Sequence, residues 1–441
     1  MIIGNGRLFT NDPQNLFFEN GAVLVEGDEI KAVGDTSGLK AAHPDEKFFD
    51  VEGRVIMPGL INAHTHAYSA YARGCAPAAP QRNFMELLEN LWWRLDRLLT
   101  LEDVELNAYT TFKESIRNGV TTVIDHHSSP NAVAGSLDTI AQAARTIGIR
   151  ASLCYEASDR DGADIFAEQI AENVAFMAKA NTGDQDMVHG LFGLHASFTL
   201  SQDSLERCAT AAENVNGGFH VHVAEGGIDE IDSQTRYGKP IVDRFAELGM
   251  LGPQSIAVHC IHADLHEAEQ LMVSDTNVVH NPQSNMGNAV GAAPVADWLH
   301  RGIRIGLGTD AYTADMLTSM QVAKVLASHT TADPTVGFGQ SIQMLFENNP
   351  LICANFFAKG LGRIKPGYHS DLITLNYHPY TPLNAETIFG HLLFGMNGAM
   401  VNDTMINGQW VMRDRELTTI DEAAIDAHSA ERASTAIWPN M

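Results

Sequence analysis

The sequence has few basic residues: 28 lysines and arginines stand against 54 acidic residues, a formal net charge of −26. A surface of this sign repels phosphate backbones and anionic lipids, so neither nucleic acid nor a membrane is expected as a partner. Cysteine is also scarce, with five residues and no CxxC pair, which is typical of reduced thiols in a cytoplasmic protein. Apolar runs of roughly 18 residues are absent, as is a basic and apolar leader, so we expect no membrane span and no secretory signal.

Short apolar runs that end in polar residues alternate with helical-looking stretches along the middle of the chain. There are eight, at 55–64, 121–127, 149–158, 191–197, 219–225, 255–260, 277–283 and 303–310. Near-continuous apolar strands that alternate with helices indicate a parallel sheet buried on both faces. Eight such units over roughly 250 residues predict an α/β fold, a (β/α)₈ barrel of the TIM type, with its active site at the C-terminal ends of the strands.

The two ends of the chain follow a different pattern. There, apolar and polar residues alternate between Gly and Asp turns, as in half-buried antiparallel strands. We therefore predict a small β-sandwich domain built from both ends, with 1–57 as its N-terminal part. Residues 58–360 are expected to form the barrel, and 361–441 the C-terminal part of the small domain plus a helical tail.

Four residues at predicted strand ends form a candidate metal site. In "INAHTH", His64 and His66 are two positions apart, so they point to the same face of a strand. His222 lies in "HVHVAE" and Asp310 in "GLGTD". Each feature alone has an ordinary explanation, since histidines recur by chance and an aspartate can cap a helix. Together they place three nitrogen ligands and one oxygen ligand at one end of the barrel, a set suited to Zn²⁺ or Fe²⁺.

Two further groups are expected at the same end. His259 ends the sixth run, where it can hydrogen-bond an attacking water or a developing oxyanion. Glu225 lies just past His222 and can donate a proton to a ring nitrogen, whereas Asp310 can take one from the water. A bound ion lowers the pKa of its water from 15.7 to roughly 7, so that hydroxide is available at neutral pH.

The motifs "PGLINAHTH", "HVHVAE", "HNPQSN" and "GLGTD", in this order, resemble the amidohydrolase superfamily. Within it the chain is similar to the branch of amino-heterocycle deaminases and triazine hydrolases (ATZ/TRZ-like). "LWWRLDR", "VIDHH", "HNPQSNM" and "FGMNGAMVN" most resemble the SsnA-type aminohydrolases. The resemblance covers essentially the whole chain.

This resemblance assigns the four candidate ligands to one divalent metal, which we take as Zn²⁺, with Fe²⁺ or Mn²⁺ as alternatives. It gives Glu225 the role of proton shuttle, and His259 that of a partner to hydroxide or carbonyl. Binuclear members carry a carboxylated lysine or a glutamate on strand four. Here that strand offers His195, so the resemblance implies a mononuclear site and makes His195 a substrate contact.

Four other residues are candidate substrate contacts. Trp93 falls off the apolar stripe of its helix, so it either faces a pocket or a partner subunit or is simply exposed to solvent. His127 ends the second run and either lines the pocket or is structural. Arg160 either binds a carbonyl or carboxylate through its guanidinium group or pairs with the neighbouring aspartate. Asn285, in "HNPQSNMGN", is placed to contact substrate.

The expected function is hydrolytic deamination of an amino-substituted N-heterocycle of the purine, oxopurine, pyrimidine or triazine type, with release of ammonia. The same ligands serve a hydrolase that opens a ring amide or breaks another C–N or C–Cl bond, since substrate shape decides between these reactions. A non-catalytic assembly protein on the same scaffold is the alternative of a different class. The partner is a small heterocyclic molecule, and the resemblance implies a homodimer or a higher oligomer.

Overall fold

The computed structural model describes residues 1–182 and 186–441. Strands and helices alternate through the middle of the chain, and short, mainly antiparallel strands occupy both ends. The strands are β1 (Ile2–Phe9), β2 (Phe17–Glu26), β3 (Glu29–Asp35), β4 (Phe48–Asp50), β5 (Val55–Pro58), β6 (Leu60–Thr65), β7 (Val120–His127), β8 (Arg150–Tyr155), β9 (Val188–Gly190), β10 (Phe192–Ala196), β11 (Phe219–Val223), β12 (Ile256–His259), β13 (Asn277–His280), β14 (Ile305–Leu307), β15 (Leu372–Leu375), β16 (Val401–Ile406), β17 (Gln409–Arg413) and β18 (Glu416–Leu417). The helices are α1 (Thr36–Ala42), α2 (Phe84–Leu87), α3 (Trp93–Leu95), α4 (Leu101–Arg117), α5 (Ser136–Ile147), α6 (Ala163–Ala180), α7 (Gln202–Ala212), α8 (Gly227–Tyr237), α9 (Ile241–Glu247), α10 (Leu265–Val273), α11 (Pro282–Gly287), α12 (Val295–His300), α13 (Met316–Thr331), α14 (Phe338–Ile342), α15 (Asn349–Cys353), α16 (Ile388–Phe394) and α17 (Glu422–Arg432).

Two parallel sheets form the centre of the molecule. One has the strand order β6-β7-β8-β9 and the other β10-β11-β12-β13-β14. Every residue of these strands is buried, which explains why they appear in the sequence as near-continuous apolar runs. Isolated parallel bridges pair Thr65 with Asp310 and Ala157 with Leu194, so the two sheets contact each other at two places.

Each of the eight predicted runs contains a parallel strand, and β9 is an additional short strand before the fourth run. The first run divides in two, with β5 in the antiparallel sheet and β6 in the parallel one. Gly59 lies at the division: its N–H donates to the carbonyl of Asp371 at 3.0 Å. A Cβ at this position would lie 2.3 Å from the side chain of Thr121. Only glycine therefore fits where the chain passes from one sheet to the other.

Strands from both ends of the chain pair in one sheet of nine strands. Its order is β18-β17-β16-β15-β5-β1-β2-β3, with β4 paired to β1. The ends of the chain meet where β15 runs antiparallel to β5, with Leu372 opposite Pro58 and Leu375 opposite Val55. This pairing places the sheet directly beside the start of β6. The described strands of this region belong to a single sheet, and a two-layered sandwich stays a prediction.

The C-terminal helix α17 is fixed against α4. A capping box begins α4, in which Thr100 and Asp103 each accept the backbone N–H of the other. Asp103 also accepts two hydrogen bonds from Arg432 of α17, at 2.9 and 2.8 Å. The tail of the chain is therefore held by a charge-assisted contact to the first long helix of the parallel region.

The segment between residues 84 and 98 is not the regular helix that its apolar stripe predicts. A π-helical turn, Leu88–Trp92, separates α2 from α3. A π turn inserts one extra residue into a helical turn and so rotates the faces of the helix beyond it. As a result both Trp92 and Trp93 face the pocket described below, although the stripe places Trp92 in the core.

Among the helices of the described residues, none combines the length and the apolar character needed to cross a lipid bilayer.

Candidate metal and active site

Two imidazoles from distant strands face each other where the parallel strands end. The Nε2 atoms of His66 and His222 are 3.3 Å apart. Each ring donates its Nδ1–H to a backbone carbonyl: His66 to His126 at 2.6 Å, and His222 to His195 at 2.8 Å. Because Nδ1 carries the proton, a neutral ring presents a lone pair at Nε2. Two lone pairs at this distance repel each other unless a cation lies between them.

Asp310 completes this arrangement from the end of β14. Its Oδ1 lies 3.3 Å from Nε2 of His66. Its N–H donates to the carbonyl of His64 at 3.0 Å, and its Oδ2 accepts a hydrogen bond from Ser284 at 2.5 Å. Asp310 has a φ of 55° and His259 a φ of 70°, a region that residues other than glycine rarely adopt. Backbone strain at both positions aims the side chains into the site.

The donor set fits a divalent ion. Two nitrogens held about 2.05 Å from a tetrahedral Zn²⁺ are about 3.3 Å apart, which is the separation found between His66 and His222. Nε2 of His64 is buried and has no hydrogen-bond partner among the described residues. The candidate ligand atoms of His64, His66 and Asp310 lie within 4.8 Å of one another. Three imidazole nitrogens and one carboxylate therefore converge, the donor types that Zn²⁺, Fe²⁺ and Mn²⁺ accept.

The electrostatics of the site favour a cation at this point. Burial lowers the pKa of His64 and of His222 well below the ordinary value, so both rings are neutral and able to bind a metal. Burial also acts to lower the pKa of His66, but the carboxylates of Asp310 and Glu156 outweigh it and raise that pKa. His66 thus lies where the surrounding negative charge attracts a positive one, a proton or a metal ion.

Glu225 and His259 lie beside the candidate ligands. Nε2 of His259 is 3.5 Å from Oε2 of Glu225 and 3.7 Å from Oδ2 of Asp310. Nδ1 of His259 contacts the side-chain oxygen of Asn285 at 2.8 Å, while Oε1 of Glu225 accepts a hydrogen bond from Asn288 at 3.1 Å. Burial raises the pKa of Glu225, with Asp310 adding to this and His259 opposing it. A carboxyl group that retains its proton in this way is suited to donate it.

Glu225 and three of the candidate ligands line a pocket of about 680 Å³ that opens to solvent. One part of its wall is aromatic or apolar, formed by Tyr68, Phe84, Leu88, Trp92, Trp93, Phe198 and Tyr312. The polar part includes Glu156, His195 and Asp229, together with the candidate ligands His66, His222 and Asp310. Flat aromatic faces opposite a cluster of polar groups suit a planar, polar ring.

Two of the predicted substrate contacts, His195 and Trp93, belong to the pocket wall. Their rings are 6.1 Å apart, and Nδ1 of His195 contacts the hydroxyl of Thr199 at 2.9 Å. Burial lowers the pKa of His195 to about 4, so its ring is neutral at physiological pH. The wall at this point therefore combines an aromatic face with an uncharged hydrogen-bonding group.

The other three predicted contacts are not among the described residues that line the pocket. Nε2 of His127 contacts the hydroxyl of Ser129 at 2.8 Å. Asn285 contacts His259 and so lies behind it. Arg160 forms ion pairs with the buried carboxylate of Asp96, a residue distant in sequence, and with the adjacent Asp161 at 3.3 Å, rather than with Asp159. These contacts leave the three side chains engaged with the protein itself.

Glu156 and Asp229 also line the pocket, and neither is among the site residues predicted from the sequence. Glu156 immediately follows β8, and its Oε1 lies 3.1 Å from Nδ1 of His126 and 3.3 Å from Nδ1 of His66. It ends an apolar run, the same signal that identified Asp310. Asp229 accepts the backbone N–H groups of Phe198 and Ala224 at 2.9 Å each. It lies on α8 after the fifth run, where nothing in the sequence distinguishes it from a helix-surface aspartate.

A parallel α/β scaffold that gathers histidines and carboxylates at its strand ends defines the class of metal-dependent hydrolases. Residues 55–411 match the model of the amidohydrolase family, and residues 21–45 match that of a bacterial imidazolonepropionase-like composite domain. The chain belongs to the amidohydrolase family. The resemblance seen in the sequence motifs is thereby confirmed.

Relatives over the full length carry deaminase names. The chain is 32% identical to a 5-methylthioadenosine/S-adenosylhomocysteine deaminase of Syntrophomonas wolfei, over 98% of both chains. It is 29% identical to a 5′-deoxyadenosine deaminase of Methanosarcina mazei, over 96% of this chain and 95% of the relative. It therefore shares essentially its whole length with enzymes named for removing an amino group.

Solved structures share the fold. An adenosine deaminase from Xanthomonas campestris with bound zinc superposes with a TM-score of 0.84 at 23% identity, covering 98% of each chain. The zinc complex of the atrazine chlorohydrolase TrzN from Arthrobacter aurescens gives 0.80 at 20% identity, covering 98% of this chain and 99% of that one. With the His/carboxylate cluster, these zinc-containing neighbours support a divalent metal as cofactor.

Proposed function

We propose that this protein is a metal-dependent aminohydrolase that removes the amino group of an amino-substituted N-heterocycle, and that an adenine-type ring is its substrate. The observation that carries the proposal is the convergence of His66, His222 and Asp310 beside Glu225 and His259 at the floor of the pocket. The deaminase names of the full-length relatives support the same reaction and favour an adenine ring.

The residues proposed to hold the ion are His64, His66, His222 and Asp310. When bound, a divalent ion lowers the pKa of a water molecule so that hydroxide is available at neutral pH. Zn²⁺ is the ion we favour, because the separation of the imidazole nitrogens matches a tetrahedral site. His195 is the strand-four residue where a second ion would need a bridging carboxylate, so the proposed site is mononuclear.

The remaining groups move protons and orient the ring. Glu225, whose pKa burial raises, donates its proton to the ring nitrogen next to the carbon under attack. Asp310 takes the proton of the attacking water through its carboxylate, which Ser284 and the backbone N–H of Ala311 orient. His259 faces both carboxylates and stabilises the oxygen that becomes the new carbonyl. Asp310 then passes its proton to the leaving amino group and Glu225 takes the proton of the new hydroxyl, so that the C–N bond breaks, ammonia leaves and the carbonyl forms.

The pocket wall defines how the ring is held. Trp93 and His195 supply an aromatic face and a neutral hydrogen-bonding group, and Glu156 adds a carboxylate to the polar part of the wall. His127, Arg160 and Asn285 were expected to touch substrate; we retain Asn285 as the partner that orients His259, and place the other two outside direct contact. Uncharged planar rings fit this wall better than phosphorylated ones, because the net charge of −26 repels polyanions.

A second candidate function keeps the site and changes the leaving group. The fold neighbour TrzN is named a chlorohydrolase, and the same proton donor and ligands suit loss of chloride or opening of a ring amide. The non-catalytic alternative requires lost ligands, whereas the candidate ligands and both accessory groups are present here. Chemical analysis of the product distinguishes the deaminase, the hydrolase with another leaving group and the non-catalytic protein.

The test combines metal analysis with product analysis. The purified protein is assayed for zinc, iron and manganese, then offered a panel of 5′-substituted adenosines, free aminopurines, aminopyrimidines, aminotriazines and chlorotriazines. We expect about one equivalent of metal and ammonia release from adenine-type substrates. Chloride release or ring opening would favour the second function, and absence of metal and of turnover would contradict both.

We also infer the architecture and setting of the enzyme. The bridges from Thr65 to Asp310 and from Ala157 to Leu194 support closure of the two parallel sheets into one (β/α)₈ barrel within 58–360, with the consecutive strands β9 and β10 together at the fourth position. Residues 1–57 and 361–441 then supply the small β domain. A homodimer or higher oligomer and a cytoplasmic location agree with the family resemblance and with five cysteines that are all free.

A further inference from the structure

A chain of buried polar atoms runs beneath the candidate ligand His64, on the side away from the pocket. Nδ1 of His64 lies 3.0 Å from Nε2 of His220, and Nδ1 of His220 lies 3.5 Å from Sγ of Cys154. The thiol in turn donates to the backbone carbonyl of Asp125 at 3.6 Å. All four residues are completely buried. Neither His220 nor Cys154 has a part in the proposed reaction.

The backbone carbonyl of Asp125, at the end of this series of hydrogen bonds, sets the direction of all of them. A backbone carbonyl can only accept, so the S–H of Cys154 points to Asp125 and the sulfur is left as an acceptor. The sulfur then accepts the Nδ1–H of His220. A neutral imidazole carries one N–H, so Nε2 of His220 is an acceptor and receives the Nδ1–H of His64.

This hydrogen-bond direction also determines whether Nε2 of His64 carries a proton. With its proton at Nδ1, the ring presents a lone pair at Nε2, the buried atom that has no hydrogen-bond partner among the described residues. In the opposite tautomer Nε2 carries the proton, and the ring cannot bind a cation. His66 and His222 are held in the same tautomer directly by backbone carbonyls, whereas His64 reaches a carbonyl only through two side chains.

We propose that His220 and Cys154 are positioning residues of the metal centre, which fix His64 in its metal-binding tautomer before the ion arrives. The proposal rests on the metal centre proposed above. Groups that orient a ligand histidine typically contribute 10- to 100-fold to metal affinity. A cysteine inside the parallel sheets therefore acts on the site without touching the ion or the substrate.

A different role for the same side chains is a second metal site. Donor atoms of His126, Cys154 and His220 lie within 4.8 Å of one another. However, Nε2 of His126 contacts the carbonyl of His220 at 3.0 Å, and both ring nitrogens of His220 are engaged in the chain above. Burial also raises the pKa of the Cys154 thiol well above its ordinary value, which opposes the thiolate that a metal requires. The structure favours the hydrogen-bond chain.

The experiment measures zinc affinity rather than turnover. Metal-free full-length protein is titrated with Zn²⁺ against a chromophoric chelator for wild type, Cys154→Ala, Cys154→Ser and Cys353→Ala. Cys353 is the matched control, since it is equally buried and packs in the same apolar cluster as Cys154. We expect Cys154→Ala to bind zinc 10- to 100-fold more weakly. Serine, which also donates and accepts, should restore most of the affinity, and Cys353→Ala should leave it unchanged.

Wild-type affinity in Cys154→Ala would overturn the proposal, as would equal losses in Cys154→Ala and Cys353→Ala, which would indicate packing alone. If wild type binds a second equivalent of zinc and Cys154→Ala does not, Cys154 belongs to a second metal site and the proposed positioning role is wrong. If Cys154→Ala does not fold, Cys154→Val, which fills the space of the sulfur but can neither donate nor accept a hydrogen bond, is interpreted by the same criteria. A wild-type protein that binds no zinc contradicts the proposed function instead, so the two failures are distinguishable.

Discussion

Ser284 donates a 2.5 Å hydrogen bond to Oδ2 of Asp310, and it thereby helps to set which carboxylate oxygen faces the imidazoles. Oδ1 lies 3.3 Å from Nε2 of His66 and accepts the backbone N–H of Ala311 at 2.6 Å. Ser284 lies on α11, after β13, whereas Asp310 follows β14. The carboxylate is therefore oriented both by a neighbouring strand connection, through Ser284, and by its own segment, through Ala311.

Replacing Ser284 by alanine should weaken the site without removing a ligand. The carboxylate of Asp310 then loses one of the two hydrogen bonds that orient it, and groups of this kind typically contribute 10- to 100-fold to metal affinity or activity. Zinc titration and kcat/KM measure the effect. Ser341→Ala removes a hydroxyl that is equally buried but lies in α14, and it should change neither quantity. Equal behaviour of the two variants would contradict the role given to Ser284.

Glu225→Gln should abolish most of the turnover but keep the metal. A glutamine preserves the shape and the contact with Asn288, yet it cannot deliver a proton to the ring. General acid catalysis contributes typically 10²–10⁴-fold, so we expect kcat to fall by about this factor. Zinc content should stay at the wild-type value, and the exposed Glu269→Gln should behave as wild type. A parallel loss of metal would show that Glu225 acts as a ligand instead.

The pH profile should report the same carboxyl group. Because burial raises the pKa of Glu225, it stays protonated at pH values where an ordinary glutamate is ionised. Activity that needs the acid form is therefore present below this raised pKa and is lost as pH rises through it. The residual activity of Glu225→Gln should lack that decline. An identical high-pH limb in both proteins would assign it to another group.

Asp229 should make stability depend on pH. Burial raises its pKa from 3.8 to about 7, so between these values the folded protein binds more protons here than the unfolded chain does. The contribution of Asp229 to the free energy of unfolding is complete below the lower pKa and is lost as pH rises towards the higher one. The free energy of unfolding then falls by up to about 1.4 kcal/mol per pH unit. Asp229→Asn should flatten the dependence of Tm on pH in this range, and the exposed Asp203→Asn should not.

Arg160 should matter for stability more than for substrate binding. Its guanidinium pairs with Asp96, whose carboxyl group is buried, and also donates to Ser128 at 2.8 Å. Removing one partner of a buried pair costs about 3–5 kcal/mol because the other charge is left uncompensated. Arg160→Met should therefore lower Tm strongly, and the double variant Arg160→Met/Asp96→Asn should recover part of the loss. If Arg160→Met has a normal Tm and a raised KM, Arg160 contacts substrate as the sequence predicts.

Several features were accessible from the sequence because they depend on local pattern. Alternation of apolar runs with helical segments predicted parallel strands, and each predicted run contains one. The spacing of His64 and His66, with the polar residues that end later strands, predicted which side chains meet, because parallel strands present their C-terminal ends at one edge. The same rule applies to Glu156, which follows β8 but was not among the residues predicted from the sequence.

The sequence alone determines the order of the strands and the residue types at their ends. These two features were enough to predict an α/β hydrolase with histidine and carboxylate ligands. Only the tertiary structure decided how those side chains are oriented: that Ser284 selects one oxygen of Asp310, that Arg160 pairs with Asp96, and that Cys154 lies beneath His64 through His220. These contacts join residues far apart in the chain through single hydrogen bonds. Their geometry depends on side-chain positions set by packing, and no periodicity in a sequence encodes it.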